Sequence, residues 1–363
     1  PRTPEKPVTA FDRTLVTAAL PYANGPIHLG HLAGVYVPAD IYVRFLKSQG
    51  EDVLFICGSD EHGVPITIAA EQAGVSPKEL VDRNYPMIRD SFTALGIEFD
   101  NYSQTSREIH HETSSAFFLD LHASGVLEQG SSLQYYSEEN DRFYPDRYVL
   151  GTCPNCKNEK ARGDQCESCG SQIEPEELID PYSARDGAKI TLKETTHWFF
   201  PLGKLQKWLQ PWVESHPEWR ENVRNYCRGW FESGLGNRAV TRDLSWGVPV
   251  PLPDHEGKVL YVWFDAPIGY ISATREWASE QGDPDLWRKW WQDDSSRLVH
   301  FIGKDNIVFH AILFPAMLHA HSEDYVIVDN VPANEFLNLE GHKLSTSAGY
   351  AVWPVSYTHL RAH

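Results

Sequence analysis

Four groups of residues in this chain have types and spacings suited to chemistry. In PYANGPIHLGH (residues 21–31), Pro21, Asn24, Gly25 and Pro26 break regular structure, and His28, Gly30 and His31 open an apolar helical pattern. A helix start offers free N–H groups and the positive end of the dipole. Two imidazoles add donors, and Gly30 has no side chain to keep a flat ring away from the backbone. A nucleoside triphosphate suits such a cradle, although paired histidines at a helix start also serve as caps or surface residues. The second group is Asp60, which closes the run DVLFICGSD. Beyond a strand end its carboxylate is placed to meet a cation such as an α-ammonium, or to cap the helix that follows. The third is Cys153-Pro-Asn-Cys156 and Cys166-Glu-Ser-Cys169, two pairs with nine residues between them. This spacing reads as a tetrahedral structural Zn²⁺ site, one per chain, whose four thiolates leave no water to activate. A regulatory disulfide pair and four unrelated buried thiols are the alternatives. The fourth is KLSTS, in which Lys343, Ser345 and Thr346 offer a cation, hydroxyls and backbone N–H groups; read alone it is a surface loop.

The elements that must position these groups alternate in type. Leu15–Leu20 reads as a strand, followed by a helix whose apolar positions include Ala33, Val37, Ile41 and Phe45. Asp52–Asp60 is a buried strand, and Glu71–Leu95 and Thr105–Ser124 read as amphipathic helices, with Pro77 suited to a helix start. This is one half of a doubly wound sheet. Beyond Gly125 the chain turns aromatic and β-like (Leu133–Leu150), carries the cysteines, and then becomes helical and Trp-rich over Leu205–Phe231. Trp208, Trp212, Trp219 and Trp230 read as core packing. Strand character returns at Val259–Asp265, with Pro267 in the first turn of a helix, and again at Leu298–Asp305 and Tyr325–Asn330, with a helix over Asn306–Ala320 between the last two. The expected fold is α/β, a Rossmann-type doubly wound parallel sheet split by a zinc-knuckle insertion. The expected divisions are 1–125, an inserted 126–242, a second catalytic half at 243–353, and a non-native or disordered tail at 354–363.

With 363 residues, 41% of them hydrophobic, the chain can build a sizeable core and two or more domains. No apolar run reaches membrane-spanning length and no signal peptide opens the chain, whose start PRTPEKP reads as a frayed terminus. The formal net charge of -18 sits awkwardly with RNA binding, since phosphates are met by Lys and Arg. A local basic surface within an acidic whole, adaptation to high salt and ordinary acidic solubility all accommodate it. Of six cysteines four cluster while Cys57 and Cys227 stand apart, the pattern of metal use in a reducing cytoplasm.

As a block, PYANGPIHLGH resembles the first signature of class I aminoacyl-tRNA synthetases, and its PYANG lead-in looks like the methionine-specific members. FICGSDEHG matches the same family, and KLSTS looks like its second signature, commonly Lys-Met-Ser-Lys-Ser, with Thr346 where a lysine is usual. Ala348 likewise stands where a basic residue is expected. The resemblance runs to about Trp353, and its details look more like archaeal than common bacterial members. It implies a two-step reaction: the amino-acid carboxylate attacks the α-phosphate of Mg²⁺-bound ATP, and the acyl group then passes to a tRNA ribose hydroxyl. His28, His31 and Lys343 would serve the phosphates. Gly30, Gly303, Asp305, Ser345 and Thr346 would complete the ATP site. Leu20, Tyr22, Trp263, Pro267, Tyr270, Phe309 and His310 would line a methionine pocket, with Asp60 on the ammonium. Core packing is the competing reading for Trp263 and Tyr270. The implied partners are ATP, L-methionine and tRNA(Met), with no membrane. A longer relative would continue into an anticodon-binding bundle, so the chain reads as a truncated catalytic fragment.

Other readings are a class I synthetase for valine, leucine or cysteine, a small nucleotidylyltransferase, or a zinc-knuckle RNA-binding module. A fully Cys-ligated knuckle inside an insertion argues against the cysteine enzyme and the nucleotidylyltransferase. A binding module predicts basic and aromatic flanks. Here Lys157, Lys160 and Arg162 are outnumbered by Asp164, Glu167, Glu174, Glu176 and Glu177.

Overall fold

The computed structural model describes residues 11–163, 166, 169, 173, 175–340, 342–344 and 351–353, apart from the side chains of Arg147, His342 and Lys343. Strand β1 (Arg13–Ala18) leads into the short helix α1 (Leu29–His31), a π-helical turn at Leu32–Tyr36, and α2 (Val37–Ser48). There follow β2 (Asp52–Ser59), α3 (Val64–Ala73), α4 (Pro77–Ala94), β3 (Asn101–Gln104) and α5 (Glu108–Ala123). Seven strands and two helices come next: β4 (Glu128–Ser137), β5 (Arg142–Phe143), β6 (Val149–Thr152), β7 (Ala161–Arg162), β8 (Ile179–Ser183), β9 (Thr191–Phe200), α6 (Leu202–Glu214), α7 (Glu221–Ser233) and β10 (Arg238–Ala239). The described chain closes with β11 (Thr241–Arg242), β12 (Val259–Leu260), α8 (Val262–Glu280), α9 (Arg288–Trp291), β13 (Ser296–Gly303), α10 (Phe314–Ala320), β14 (Ala333–Asn334), β15 (Asn338–Leu339) and β16 (His342–Lys343).

The main sheet has the order β14-β13-β1-β2-β3, and every pair in it is parallel. Leu15 stands between Leu54 and Leu298, and all three are buried. Parallel strands covered on both faces need such continuous apolar runs, and each fully buried aliphatic side chain contributes about 1.5–3 kcal/mol. Chain order reverses at β1, with β2 on one side and β13 on the other. That is where a crevice opens beyond the carboxyl ends of an open α/β sheet. An antiparallel sheet, β10-β9-β4-β5, and a three-stranded one, β7-β6-β8, are built from the chain between β3 and β11. Among the described residues no helix is long and apolar enough to cross a membrane.

Several elements differ from expectation. The stripe Val37–Ile41–Phe45 faces outward, and Ala39, Val43 and Leu46 are the buried face of α2. Both stripes satisfy a 3.6-residue period, and packing against the sheet selects between them. Glu71–Leu95 is two helices, because Gly74 adopts a left-handed conformation (φ 66°) and Ser76 opens α4 with a capping box to Glu79. Val259–Asp265 is strand only over Val259–Leu260. Helix α8 starts at Val262, which puts Pro267 in its second turn rather than its first. The β-favouring residues Val262 and Phe264 are buried in that helix, so burial overrides local propensity. Tyr325–Asn330 runs beside β13, donating from Asp329 N–H to the Leu298 carbonyl, without forming a regular strand. The expected helix over Asn306–Ala320 is a 3₁₀ turn (Lys304–Asn306), a π turn (Phe309–Leu313) and then α10.

Candidate active site

Beyond the carboxyl ends of β1, β2 and β13 lies a cavity of about 390 Å³, a size typical of small-molecule sites. The chain leaving β1 is held open here. Asp60 N–H donates to the Pro21 carbonyl and Ala23 N–H to the Asp60 carbonyl, each at 2.9 Å, so Tyr22 and Asp60 pair as a parallel bridge. Asn84 Nδ2 holds the Ala23 carbonyl at 2.7 Å.

His28 is the N-cap of α1 and His31 its third residue. His31 N–H donates to His28 Nδ1 at 3.3 Å, and His28 N–H to His31 Nδ1 at 3.1 Å. Their rings stack with centroids 3.8 Å apart. The histidines therefore cap the helix and also line the cavity. Because each Nδ1 accepts, the proton of each neutral ring sits on Nε2. A Cβ at Gly30 would lie 2.9 Å from His28 Cε1 and 3.1 Å from Leu344 Cδ1, so a larger residue there would push the His28 ring or Leu344 aside.

Leu344 carries the second signature to the first. It is buried against Gly30, directly after the hairpin β15–β16. Further along the chain Leu29 N–H donates to the Val352 carbonyl at 2.9 Å, and Trp353 lies 6.3 Å from the His28 ring. The described residues on either side of 345–350 thus rest on the HLGH turn. Ser345 and Thr346 lie outside the described residues, and of Lys343 only the backbone is described.

Leu20, Tyr22, Asp60, Trp263, Pro267, Tyr270, Phe309 and His310 line the same cavity, as do Gly30, Gly303 and Asp305. Trp263 is 43% exposed and meets Phe309 edge-on at 5.1 Å, so core packing does not account for it. Tyr270 is 1% exposed and belongs to the core. Its hydroxyl meets His310 Nε2 at 2.8 Å, while His310 Nδ1 lies 2.9 Å from the Asn306 carbonyl. A carbonyl can only accept, so Nδ1 carries the proton and Tyr270 donates to Nε2. Burial holds the His310 imidazole down to about 4, which leaves this wall neutral. A Cβ at Gly303 would lie 2.7 Å from Asp305 Oδ1, so a larger residue there would turn the Asp305 carboxylate aside.

Asp60 is 5% exposed. Helix α3 is capped at Gly63, so Asp60 does not cap it. Burial, then the charge on Asp265, pushes its carboxyl well above the usual range. An arriving cation would reverse that shift. Three neighbours were not anticipated from the sequence: His62, His110 and Asp265. The available signal was polar residues set in apolar runs, DEHG and FDAP.

The four cysteines of the two C-x2-C pairs converge, with all sulfurs within 4.8 Å of one another. Cys153 and Cys169 are 3.9 Å apart and Cys156 and Cys166 3.5 Å. A tetrahedron with metal–sulfur bonds of about 2.3 Å has edges of about 3.8 Å, so the set fits one ion. Cys153 and Cys166 are part of a satellite core with Tyr135, Tyr144, Val149 and Ile190, separate from the main one.

The family description "tRNA synthetases class I (M)" matches residues 14–362. A methionine–tRNA ligase of Bacteroides fragilis (strain ATCC 25285) is 58% identical over 348 residues, which is 96% of this chain and 50% of that protein. One of Chloroherpeton thalassium is 57% identical over 353 residues, covering 95% and 50%. Among solved structures, Mycobacterium tuberculosis methionyl-tRNA synthetase bound by methionyl-adenylate superposes with a TM-score of 0.71 at 28% identity, over 96% of this chain and 62% of that one. The chain spans about half the length of the curated relatives it matches. With two signature segments meeting beyond the carboxyl ends of the central strands and this similarity along nearly all its length, the chain belongs to the class I tRNA synthetase (M) family.

Proposed function

We propose that this chain activates L-methionine with MgATP to methionyl-adenylate and passes the methionyl group to tRNA(Met). The observation that carries the reading is the meeting of the HLGH turn, Leu344 and Asp60 around one cavity at the sheet's switch point. In this reading ATP lies across Gly30, with the Nε2–H groups of His28 and His31 on its phosphates and the Asp305 carboxylate accepting from the ribose hydroxyls. Lys343, Ser345 and Thr346 close over the pyrophosphate. Asp60 holds the ammonium. Leu20, Tyr22, Trp263, Pro267 and Phe309 surround the thioether, which is favoured at aromatic ring edges, and the Tyr270–His310 pair closes that pocket. The methionine carboxylate oxygen then attacks the α-phosphorus in line as the bond to pyrophosphate breaks. No side-chain nucleophile is needed; orientation and charge stabilisation supply the rate. In the second step the tRNA's terminal ribose hydroxyl attacks the acyl carbonyl and AMP leaves.

In the same reading residues 1–125 and 243–353 form the catalytic halves, 126–242 the connective insertion, and the enzyme works in the cytoplasm. Residues 354–363, read from sequence as a tail, lie outside the described residues. Methionine-dependent exchange of pyrophosphate into ATP tests the proposal. Exchange with methionine alone among the amino acids is expected; equal exchange with valine or leucine would remove the specificity.

Cys153, Cys156, Cys166 and Cys169 would hold Zn²⁺, which supplies cross-linking of the satellite core and no chemistry. One zinc per chain is expected by atomic absorption. Its removal by a chelator should lower the melting temperature, because the binding energy of a structural zinc is folding energy. Replacement by Co²⁺ should leave the exchange rate within about twofold, since a closed four-thiolate shell has no position for substrate.

A further inference from the structure

Behind Asp60 lies a buried carboxylate–imidazole cluster that the reaction just described leaves without a task. Asp265 Oδ2 lies 2.7 Å from His62 Nδ1 and 3.3 Å from His110 Nε2, and the three side chains are at most 2% exposed. The shorter separation is a hydrogen bond, with no room for an ion between the two atoms. His62 belongs to the turn after β2, His110 to α5 and Asp265 to α8, so one carboxylate ties three elements together. The same turn is held on its other sides. Glu61 N–H donates to Thr105 Oγ1 at 2.9 Å, and Trp246 Nε1 to the Glu61 carbonyl at 2.7 Å. His62 N–H reaches Asp60 Oδ1 at 3.4 Å. Other titratable neighbours among the described residues include the Glu61 carboxylate, engaged by Ser59, Gln104 and Ser106, His111, whose ring lies 5.3 Å from that of His62, and Tyr22, whose hydroxyl feels both Asp60 and Asp265.

Stability alone is a poor account of this cluster. Taking a carboxylate out of water is costly, and burial pushes the His110 imidazole down, away from the charged form that would offset the cost. The second oxygen, Asp265 Oδ1, is buried with no hydrogen-bond partner among the described residues, an arrangement that costs stability. Its charge also acts on Asp60. We infer that Asp265, clamped by His62 and His110, is a positioning residue for the amino-acid ammonium: it locks the Asp60–Gly63 turn and places a second negative charge behind Asp60. This rests on the proposed methionine reading of the Asp60 site.

The test compares two inhibitors of the exchange reaction on Asp265→Asn. Methioninol keeps the ammonium and lacks the carboxylate; 4-(methylsulfanyl)butanoate keeps the carboxylate and thioether and lacks the ammonium. Removing a buried charge near a cation is expected to weaken methioninol and raise the methionine KM by about 30-fold or more. The KM for ATP and the inhibition by the butanoate should stay within about twofold, and kcat should fall less than KM rises. Equal weakening of both inhibitors, or of neither, overturns the inference, because a purely structural loss disturbs both ligands alike. Should Asp265→Asn not fold, His110→Leu, which has no donor for Asp265 and leaves the carboxylate, is expected to show the same selectivity at about 3–10-fold. Absence of methionine-dependent exchange by the wild-type chain would instead overturn the proposed function, so the two failures are distinguishable.

Discussion

Asp60→Asn is expected to lower kcat/KM for methionine by roughly 10²–10³-fold, with the KM for ATP unchanged. The carboxylate is 5% exposed, and truncating one partner of a buried charge pair costs about 3–5 kcal/mol because the other charge is left uncompensated. The pH dependence carries a sign. Burial and the neighbouring Asp265 raise the Asp60 carboxyl well above its usual range, and only the ionised form pairs with an ammonium. Wild-type kcat/KM for methionine should therefore climb as pH rises through that raised value and level off above it. The Asn variant should lack the climb. Stability should move the other way. Below the unfolded-state value both states are protonated and Asp60 contributes nothing. Between the unfolded and folded values the unfolded state ionises more readily, so rising pH costs the native protein stability. At neutral pH Asp60→Asn should melt at the same temperature as wild type or higher. A slow and destabilised variant with an unchanged pH profile would contradict the assignment.

His31→Ala should lower kcat for exchange by about 10²–10³-fold, the effect of losing one donor aimed at developing negative charge. His28→Ala should lose a comparable factor and, in addition, about 1 kcal/mol of stability with its N-cap. His28→Asn separates the two roles: asparagine caps a helix well, so the melting temperature should recover while the rate does not. The rings stack at 3.8 Å and cap each other reciprocally, so the double alanine variant should fall short of the product of the single losses. Measuring kcat beside the melting temperature decides the matter. If both recover together in His28→Asn, the histidines serve the helix and not the phosphates.

Much of this architecture was legible because its residues are local and periodic. The apolar runs around Leu15, Phe55 and Val299 announce buried parallel strands, since such strands are covered on both faces. The spacing of Cys153, Cys156, Cys166 and Cys169 announces a metal knuckle, since a tetrahedron constrains short intervals. What failed was decided at a distance. Val262 and Phe264 read as strand and fold as helix because their burial outweighs their propensity. The outward stripe of α2 has the same 3.6-residue period as the buried one, and that period cannot say which face the sheet will cover.

The sequence by itself determined the chemistry on offer: two signature segments, one strand-end carboxylate and four thiols, each carried by residues adjacent in the chain. Only the tertiary structure decided that Leu344 rests on Gly30, that Tyr270 donates to a neutral His310, and that His62, His110 and Asp265 converge behind Asp60. Those contacts join residues up to about 300 positions apart. Their geometry is set by how helices pack on a twisted sheet, which no local run of amino acids encodes.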